Sequence, residues 1–335
     1  MRIIIPMAGW GTRLRPHTLT IPKPLIPIAG KPMVQWIAEG LVNSTSEKVE
    51  DIAFIIRQDF GRQTEETLLQ IAASLGSRGH IFYQEQPLGT AHAILCAAPL
   101  LEGNVIIAFA DTLFKSSFQI DTRKDGIIFV QQVEDPRPFG VVVLDEQGVI
   151  QRMIEKPQEF VSDKAIIGIY YFRDAAALKN EMQYLIDNQL ATKGEYQLTD
   201  ALDRMRAGGA AFVTGAVDEW LDCGNKDATV YTHARVLDLF GDQIPQDNVY
   251  TSVNSVIIPP CYIAPGVQLI HSVIGPHVSL GPDTRIEHSV ISNSMIQAKS
   301  VLKNRVIAGS MIGNNAKLVG KSENLSVGDF TTEEG

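Results

Sequence analysis

The chain is poor in cysteine: it has three, Cys96, Cys223 and Cys261, far apart in its 335 residues. An odd, scattered set with no CxxC pair excludes a disulfide framework and a thiolate metal site, and points to a reducing compartment. Long apolar runs are also missing, none approaching the roughly 18 residues needed to cross a bilayer. The N-terminal apolar run is broken by Pro6 and Gly9, unlike a secretory signal. These absences make a cytoplasmic protein with no membrane partner the expectation. There is no surplus of positive charge, the formal net charge being −9, which argues against nucleic acid as a partner. Negative charge is missing from the opening stretch of the chain. Residues 1–38 contain Arg2, Arg13, Arg15, Lys23 and Lys31 and no Asp or Glu. A basic stretch on an acidic chain reads as a focused anion site.

That stretch opens with Ile3-Ile4-Ile5, the pattern of a buried strand. Ala8, Gly9, Gly11, Thr12 and Arg13 follow directly. Two glycines flanking one residue after a strand let backbone N–H groups approach a ligand closely, as in loops that cradle phosphate. On the glycines alone a plain tight turn is an equal reading. Neither the dinucleotide fingerprint nor the Walker A pattern is met.

Further on, residues 33–42, 63–75 and 91–98 have helical spacing, and residues 51–57, 79–84 and 105–110 read as strands. Alternating strands and helices predict a Rossmann-like α/β domain, a mostly parallel sheet covered on both faces. Ligands then bind at the carboxyl ends of the strands, where Gly9, Gln84 and Asp111 are expected. Between residues 126 and 172 the pattern shifts to strands, with a hairpin-like turn at 145–148. Helices over 175–190 and 200–207, a strand over 211–217 and a helix over 226–239 close this part. With 45% hydrophobic residues, a full core is available.

Beyond residue 250 helical periodicity disappears. An aliphatic residue returns about every six positions, as in Val256-Ile257-Ile258, Val273-Ile274 and Val306-Ile307. This is the spacing of hexapeptide β-helix repeats and predicts about four coils of a short parallel, left-handed β-helix. The expected organisation is an α/β domain over 1–240, a linker over 240–250, a β-helix over 251–320 and a polar tail over 321–335. Open β-helix ends invite partners, so a homo-oligomer is expected. His92, His271, His277 and His288 have no metal-ligand spacing and read as surface or stacked side chains.

GWGTRLRPHT followed by PKPLIPIAGKP, residues 9–18 and 22–32, resembles the signature of the sugar-1-phosphate nucleotidylyltransferases. The resemblance extends over nearly all of residues 1–240. It implies that a nucleoside triphosphate and a sugar 1-phosphate are the substrates, that pyrophosphate is released and that Mg²⁺ is the cofactor. Trp10 departs from it, since a small residue is usual there. The sugar-phosphate oxygen is itself the nucleophile, so such a reaction needs positioning and charge neutralisation rather than a protein base.

Arg13 and Lys23 suit phosphate contact by their chemistry, Arg as a fork and Lys as a point charge. Asp111 alone reads as a turn former; the resemblance makes it a catalytic metal ligand, despite Ala110 in place of the usual Gly. Asp222, in EWLDCGN, is the implied second ligand, with Asp218 the competing choice. By the same resemblance Ala8, Gly9, Gly11, Thr12, Gln84, Gly89 and Thr90 hold the nucleotide, Gln84 reading a pyrimidine base and Gln86 its competitor. Glu155 and Lys156, in EKP, and Gly140 and Gly168 face the sugar phosphate. Gly194, Glu195, Tyr196, Thr199 and Asp200 match a segment that reads as structural, with Glu195 a weaker sugar candidate.

The first expectation is therefore UTP or dTTP with glucose 1-phosphate. A mannose-1-phosphate guanylyltransferase and an amino-sugar or muramate-type uridylyltransferase are the near alternatives. Two other classes are a bifunctional acyltransferase, against which the short β-helix and the absence of a histidine-centred site argue, and a non-catalytic regulatory subunit, against which the retained motifs argue.

Overall fold

The structure is a computed structural model and describes residues 1–244, 249–321 and 326. Residues 245–248 of the expected linker, and the expected tail apart from Lys321 and Ser326, lie outside the described residues. The chain divides into two compact units, one of Met1–Pro27 and Lys31–Thr232, the other of Ile28–Gly30 and His233–Gly335.

The first unit is built on a nine-stranded sheet. Its parallel part comprises β1 (Arg2–Pro6), β2 (Asp51–Ile56), β3 (Arg78–Tyr83) and β4 (Val105–Ala108). In space β1 lies between β4 and β2, and β3 flanks β2. Ile3, Ile4, Ile5 and all of β2 are buried, which is why these strands read as unbroken apolar runs. Helices α1 (Met33–Asn43), α2 (Arg62–Ser74) and α3 (Thr90–Leu95) connect them. α1 buries Met33, Val34, Ile37, Ala38 and Leu41 along one stripe.

After β4 the chain forms the short β5 (Thr112–Lys115), then β6 (Gly126–Gln132), β7 (Gly140–Leu144), β8 (Ile150–Glu155) and β9 (Lys164–Phe172). β9 runs antiparallel to β4, β6 and β7, and β7 pairs antiparallel with β8, so the sheet is mixed. Helices α4 (Ala175–Asp187) and α5 (Leu198–Ala207) follow, and β10 (Phe212–Ala216) joins the sheet beside β6. β11 (Glu219–Asp222) pairs with β5 in a separate ribbon, and α6 (Lys226–Leu239) comes next. The strand-rich shift from residue 126 onward thus becomes the antiparallel half of one sheet.

The second unit contains a left-handed parallel β-helix whose three sides are sheets of five, four and four strands. Successive coils are tied by serines. Ser255 Oγ accepts from Ser272 N–H and Ser272 Oγ from Ser289 N–H, 17 residues apart; the next coils are 16 apart. The recurring aliphatic positions of the sequence pattern, such as Leu269, Ile274, Leu280, Ile286, Ile291 and Leu302, stack as its core. Corners take left-handed backbone, as at His271 (φ 48°) and His288 (φ 45°). Those two rings stack with centroids 5.0 Å apart, a role in the coil rather than in chemistry. Among the described residues no helix is long and apolar enough to cross a membrane.

His233 is fully buried in this unit, with Nε2 2.6 Å from Ser279 Oγ and Nδ1 without a partner among the described residues. Burial, and to a lesser degree His277, lowers its pKa to about 3. The unfolded chain therefore takes up a proton below about pH 6.5 that the folded protein refuses until about pH 3, and stability falls with pH across that window, by about 1.4 kcal/mol per unit at most. His233→Gln, which stays neutral, should flatten the pH dependence of the thermal midpoint between pH 6 and 4; an unchanged slope would remove His233 as its source.

Candidate active site

The parallel strands bring three segments to one edge of the sheet: the loop after β1, Gln84 after β3 and Asp111 after β4. In the first loop Gly11 is left-handed (φ 59°), and a Cβ there would meet Lys23 Cβ at 2.9 Å and Thr18 Cγ2 at 3.0 Å. Thr18 Oγ1 also donates to Gly11 O at 2.8 Å. The glycine therefore lets the loop fold down onto Lys23. Trp10 points outward, 54% exposed, under the Arg57 guanidinium at 3.3 Å from the ring centroid. Its ring is taken up by that cation–π contact, which is how the loop accommodates a large residue there.

Lys23, 11% exposed at its side chain and set between Pro22 and Pro24, donates to Asp111 Oδ2 at 2.9 Å. Asp222 reaches the same place through β11, where it pairs with Thr112, while Cys223 N–H donates to Asp111 O at 3.0 Å. Asp222 O is held by Thr232 Oγ1 at 2.7 Å. A Cβ at Gly224 would lie 2.8 Å from Asp222 Oδ2 and 3.4 Å from Arg13 Nη1, so this glycine makes room for the carboxylate and the guanidinium together. Burial raises the pKa of Asp222 and the charge of Asp111 adds to it; the Gly224 N–H, Lys23 and Arg13 oppose. Asp218, the competing carboxylate, sits at the far end of β11 on Ser117 Oγ at 3.0 Å and lines neither cavity described here.

Two cavities open on this cluster. One, of about 290 Å³, is lined by Gly9, Gly11, Thr12, Arg13, Lys23, Asp111 and Gly224 among others. The other, of about 490 Å³, shares Arg13 and Asp111 and continues past Asp222, Gly140, Glu155, Lys156, Gly168 and Thr90. Gly140 pairs with Glu155 across the β7–β8 hairpin, and a Cβ on it would come within 3.0 Å of Glu155 Oε2. Lys156 has left-handed backbone (φ 45°), anchored by its N–H on Phe139 O at 3.1 Å, with Nζ 3.6 Å from Glu155 Oε1. A non-glycine in that region is held there by its surroundings. Gly168 (φ 82°) sits at the irregularity of β9, where its carbonyl accepts from Phe109 N–H at 3.0 Å.

Ala8 and Gln84 line neither cavity. Gln84 is 9% exposed and its Nε2 donates to Gly89 O at 3.2 Å. Gly89 (φ 112°) lies against the backbone of Tyr196, which also bonds Leu88 and Ala91. Thr90 Oγ1 accepts from Leu198 N–H at 2.8 Å. The 194–200 segment thus braces the Gly89 loop. Glu195 is exposed, bonds Gln197 and lines neither cavity.

Sequence reasoning gave no site role to two residues of the larger cavity, reading Thr199 as structural and Trp220 only as part of the motif around Asp222. Thr199 Oγ1 and Trp220 Nε1 are buried and lack a partner among the described residues, although both residues line that cavity. Phe139 holds the indole edge-on, centroids 5.2 Å apart. Trp220 precedes Asp222 by two on one strand, so the period-2 rule puts both on one face; that spacing was the available signal.

Fold and cleft together define an α/β domain with basic and acidic side chains converging at the strand ends. Residues 2–238 match the family model described as nucleotidyl transferase, and the chain belongs to that family of nucleotidyltransferases. It is 39% identical over 194 residues to the mannose-1-phosphate guanylyltransferase catalytic subunit beta of Drosophila pseudoobscura pseudoobscura, covering 54% of this chain and 50% of that one. It is 32% identical over 228 residues to the bifunctional protein GlmU of Methanococcus maripaludis, covering 67% and 52% respectively. The chain thus spans about half the length of the curated relatives it matches. A solved UDP-glucose pyrophosphorylase, complexed with UDP-glucose, shares the fold with a TM-score of 0.57 at 24% identity, over 71% of this chain and 98% of that one.

Two glycines, in the loops after β1 and β3, differ in what they tolerate. A Cβ on Gly9 would meet nothing within 4 Å, whereas one on Gly89 would sit 2.5 Å from Tyr196 O. Gly89→Ala should cost about 1–3 kcal/mol, and Gly9→Ala no more than about 0.5 kcal/mol. Urea unfolding midpoints that move equally for the two would contradict this account.

Proposed function

We propose that the protein is a sugar-1-phosphate nucleotidylyltransferase. The observation that carries this reading is the convergence of Lys23, Arg13, Asp111 and Asp222 where the two cavities meet. An oxygen of the sugar phosphate attacks the α-phosphorus of the nucleoside triphosphate. The bond from that phosphorus to the bridging oxygen breaks, and pyrophosphate leaves. Arg13 and Lys23 neutralise charge on the phosphates and hold them in line. Gly9, Gly11 and Thr12 border the triphosphate side, with Ala8 behind them. Glu155, Lys156, Gly140 and Gly168 border the sugar side.

The donor set fits a divalent cation of the Mg²⁺ kind. Two carboxylates are hard oxygen ligands, and phosphate and water oxygens complete such a shell. Burial of Asp222 beside Asp111 leaves negative charge that a cation would relieve. Cys223, buried with its thiol pushed up to about 12, is not in ligating form. Mg²⁺ held by Asp111 and Asp222 would supply positive charge to the phosphate oxygens. Asp111→Asn should lower turnover on the order of 100-fold or more, the scale of losing one preorganised charge-stabilising group, with the fold intact by circular dichroism. Near-normal pyrophosphate release at limiting Mg²⁺ would take Asp111 out of the metal site.

For the substrates, the motif match around Gln84 supports UTP or dTTP with glucose 1-phosphate. A second reading, GTP with mannose 1-phosphate, is favoured by the 39% identity to the insect guanylyltransferase subunit. A matrix of nucleoside triphosphates against sugar 1-phosphates, read by pyrophosphate release, decides between them: turnover with GTP and none with UTP or dTTP would select the second. The β-helix serves self-association in this reading. Light scattering on the full chain should give more than a monomer mass, and a monomer mass at micromolar concentration would remove that role.

A further inference from the structure

Gln84 closes β3, its backbone N–H bonded to Ile56 O at 2.9 Å. Its side-chain nitrogen has two neighbours, Gly89 O at 3.2 Å and His92 Nδ1 at 3.1 Å. A backbone carbonyl only accepts, so the nitrogen of the amide, not its oxygen, must face Gly89. The Gly89 carbonyl cannot drift, because its loop is bonded on both sides to Tyr196: Tyr196 N–H donates to Leu88 O at 2.8 Å and Ala91 N–H to Tyr196 O at 2.9 Å. The second amide hydrogen then meets His92 Nδ1, which accepts only in the tautomer carrying its proton on Nε2. Half-burial lowers the pKa of His92, in keeping with a neutral ring at neutral pH.

Both amide hydrogens of Gln84 are therefore committed within the protein. Its Oε1 meets no donor among the described residues, and it is not one of the buried unpaired atoms. What Gln84 has left to offer a ligand is an acceptor alone. Uracil and thymine present a ring N–H at N3 and guanine at N1; cytosine N3 and adenine N1 are acceptors. Where Oε1 faces the ring nitrogen, cytosine and adenine set two acceptors face to face and leave a polar group unpaired, which a desolvated site rejects; their amino groups meet Oε1 only if the base shifts sideways.

We propose that His92 is a positioning residue for nucleotide choice: by holding the Gln84 amide against Gly89 it leaves Oε1 as the only reader, and so selects bases with a ring N–H over adenine and cytosine. This rests on the reading that Gln84 faces the base. Without an acceptor at position 92 the amide keeps one anchor in place of two and can turn a hydrogen outward, so an acceptor base becomes tolerable. The residue touches neither the phosphates nor the sugar, so its effect is on nucleotide binding and not on the chemical step.

The test uses the full chain with Mg²⁺ and measures affinity by calorimetry for UTP against CTP and GTP against ATP. Wild type should favour the member of at least one pair that carries the ring N–H. His92→Phe should weaken binding of that nucleotide and shrink the preference by about tenfold, the scale of one lost hydrogen bond. His92→Asn, whose Oδ1 accepts, should restore most of it. His92→Ala gives the same reading where Phe does not fit. Gln84→Ala separates the two layers of the argument. Loss of preference in Gln84→Ala with the preference intact in both His92→Phe and His92→Ala would overturn the role of His92 and leave the base reading standing. A preference untouched by Gln84→Ala, or a wild type that favours CTP and ATP, would overturn both.

Discussion

The 2.9 Å ion pair between Lys23 and Asp111 is the contact on which the cleft depends. It joins a loop near the N-terminus to the end of β4, 88 residues further along. Asp222 comes to the same point from β11 and is the least comfortable charge there. Burial raises its pKa, Asp111 adds a like charge, and Lys23 and Arg13 offset only part of that. Two carboxylates against two cations in a half-buried cleft leave little to spare for a polyanion arriving without a counter-charge. That balance is the physical support for a phosphate ligand accompanied by a divalent cation.

The sheet supplies the geometry. Parallel strands put the β1, β3 and β4 loops on one edge, and antiparallel β9 crosses beside β4 to bring Gly168 against Phe109. Close approach is made possible by small residues at Gly11, Gly89 and Gly224, each of which faces an atom where a Cβ would stand. The β-helix solves a different problem. Each coil is too small to bury its aliphatic face alone, so stability comes from stacking, and serines, among them the buried Ser272 and Ser294, satisfy the next coil's N–H groups at the corners.

Much of this was legible in the order of residues. Unbroken apolar runs marked the central strands because both of their faces are covered, and the shift to strand-rich sequence at residue 126 marked the antiparallel half. The aliphatic return of about six residues marked the β-helix, although the corners shorten the true coils to 17 or 16 residues. Gly9, Gln84 and Asp111, each following an apolar run, pointed to one edge of the sheet, since strand polarity and loop position are local properties.

What sequence could not decide was which side chains are already engaged. Only the pairing of β11 with β5 sets Asp222 opposite Thr112 and sends Asp218 to the other end of the ribbon. Only packing reveals that Gln84 has both amide hydrogens engaged by Gly89 and His92, and that Thr199 and Trp220, which line the larger cavity, each bury a polar atom without a partner among the described residues. Residue chemistry and period are written along the chain. Hydrogen-bond capacity left over after folding depends on neighbours brought together from distant segments, and so belongs to the tertiary structure alone.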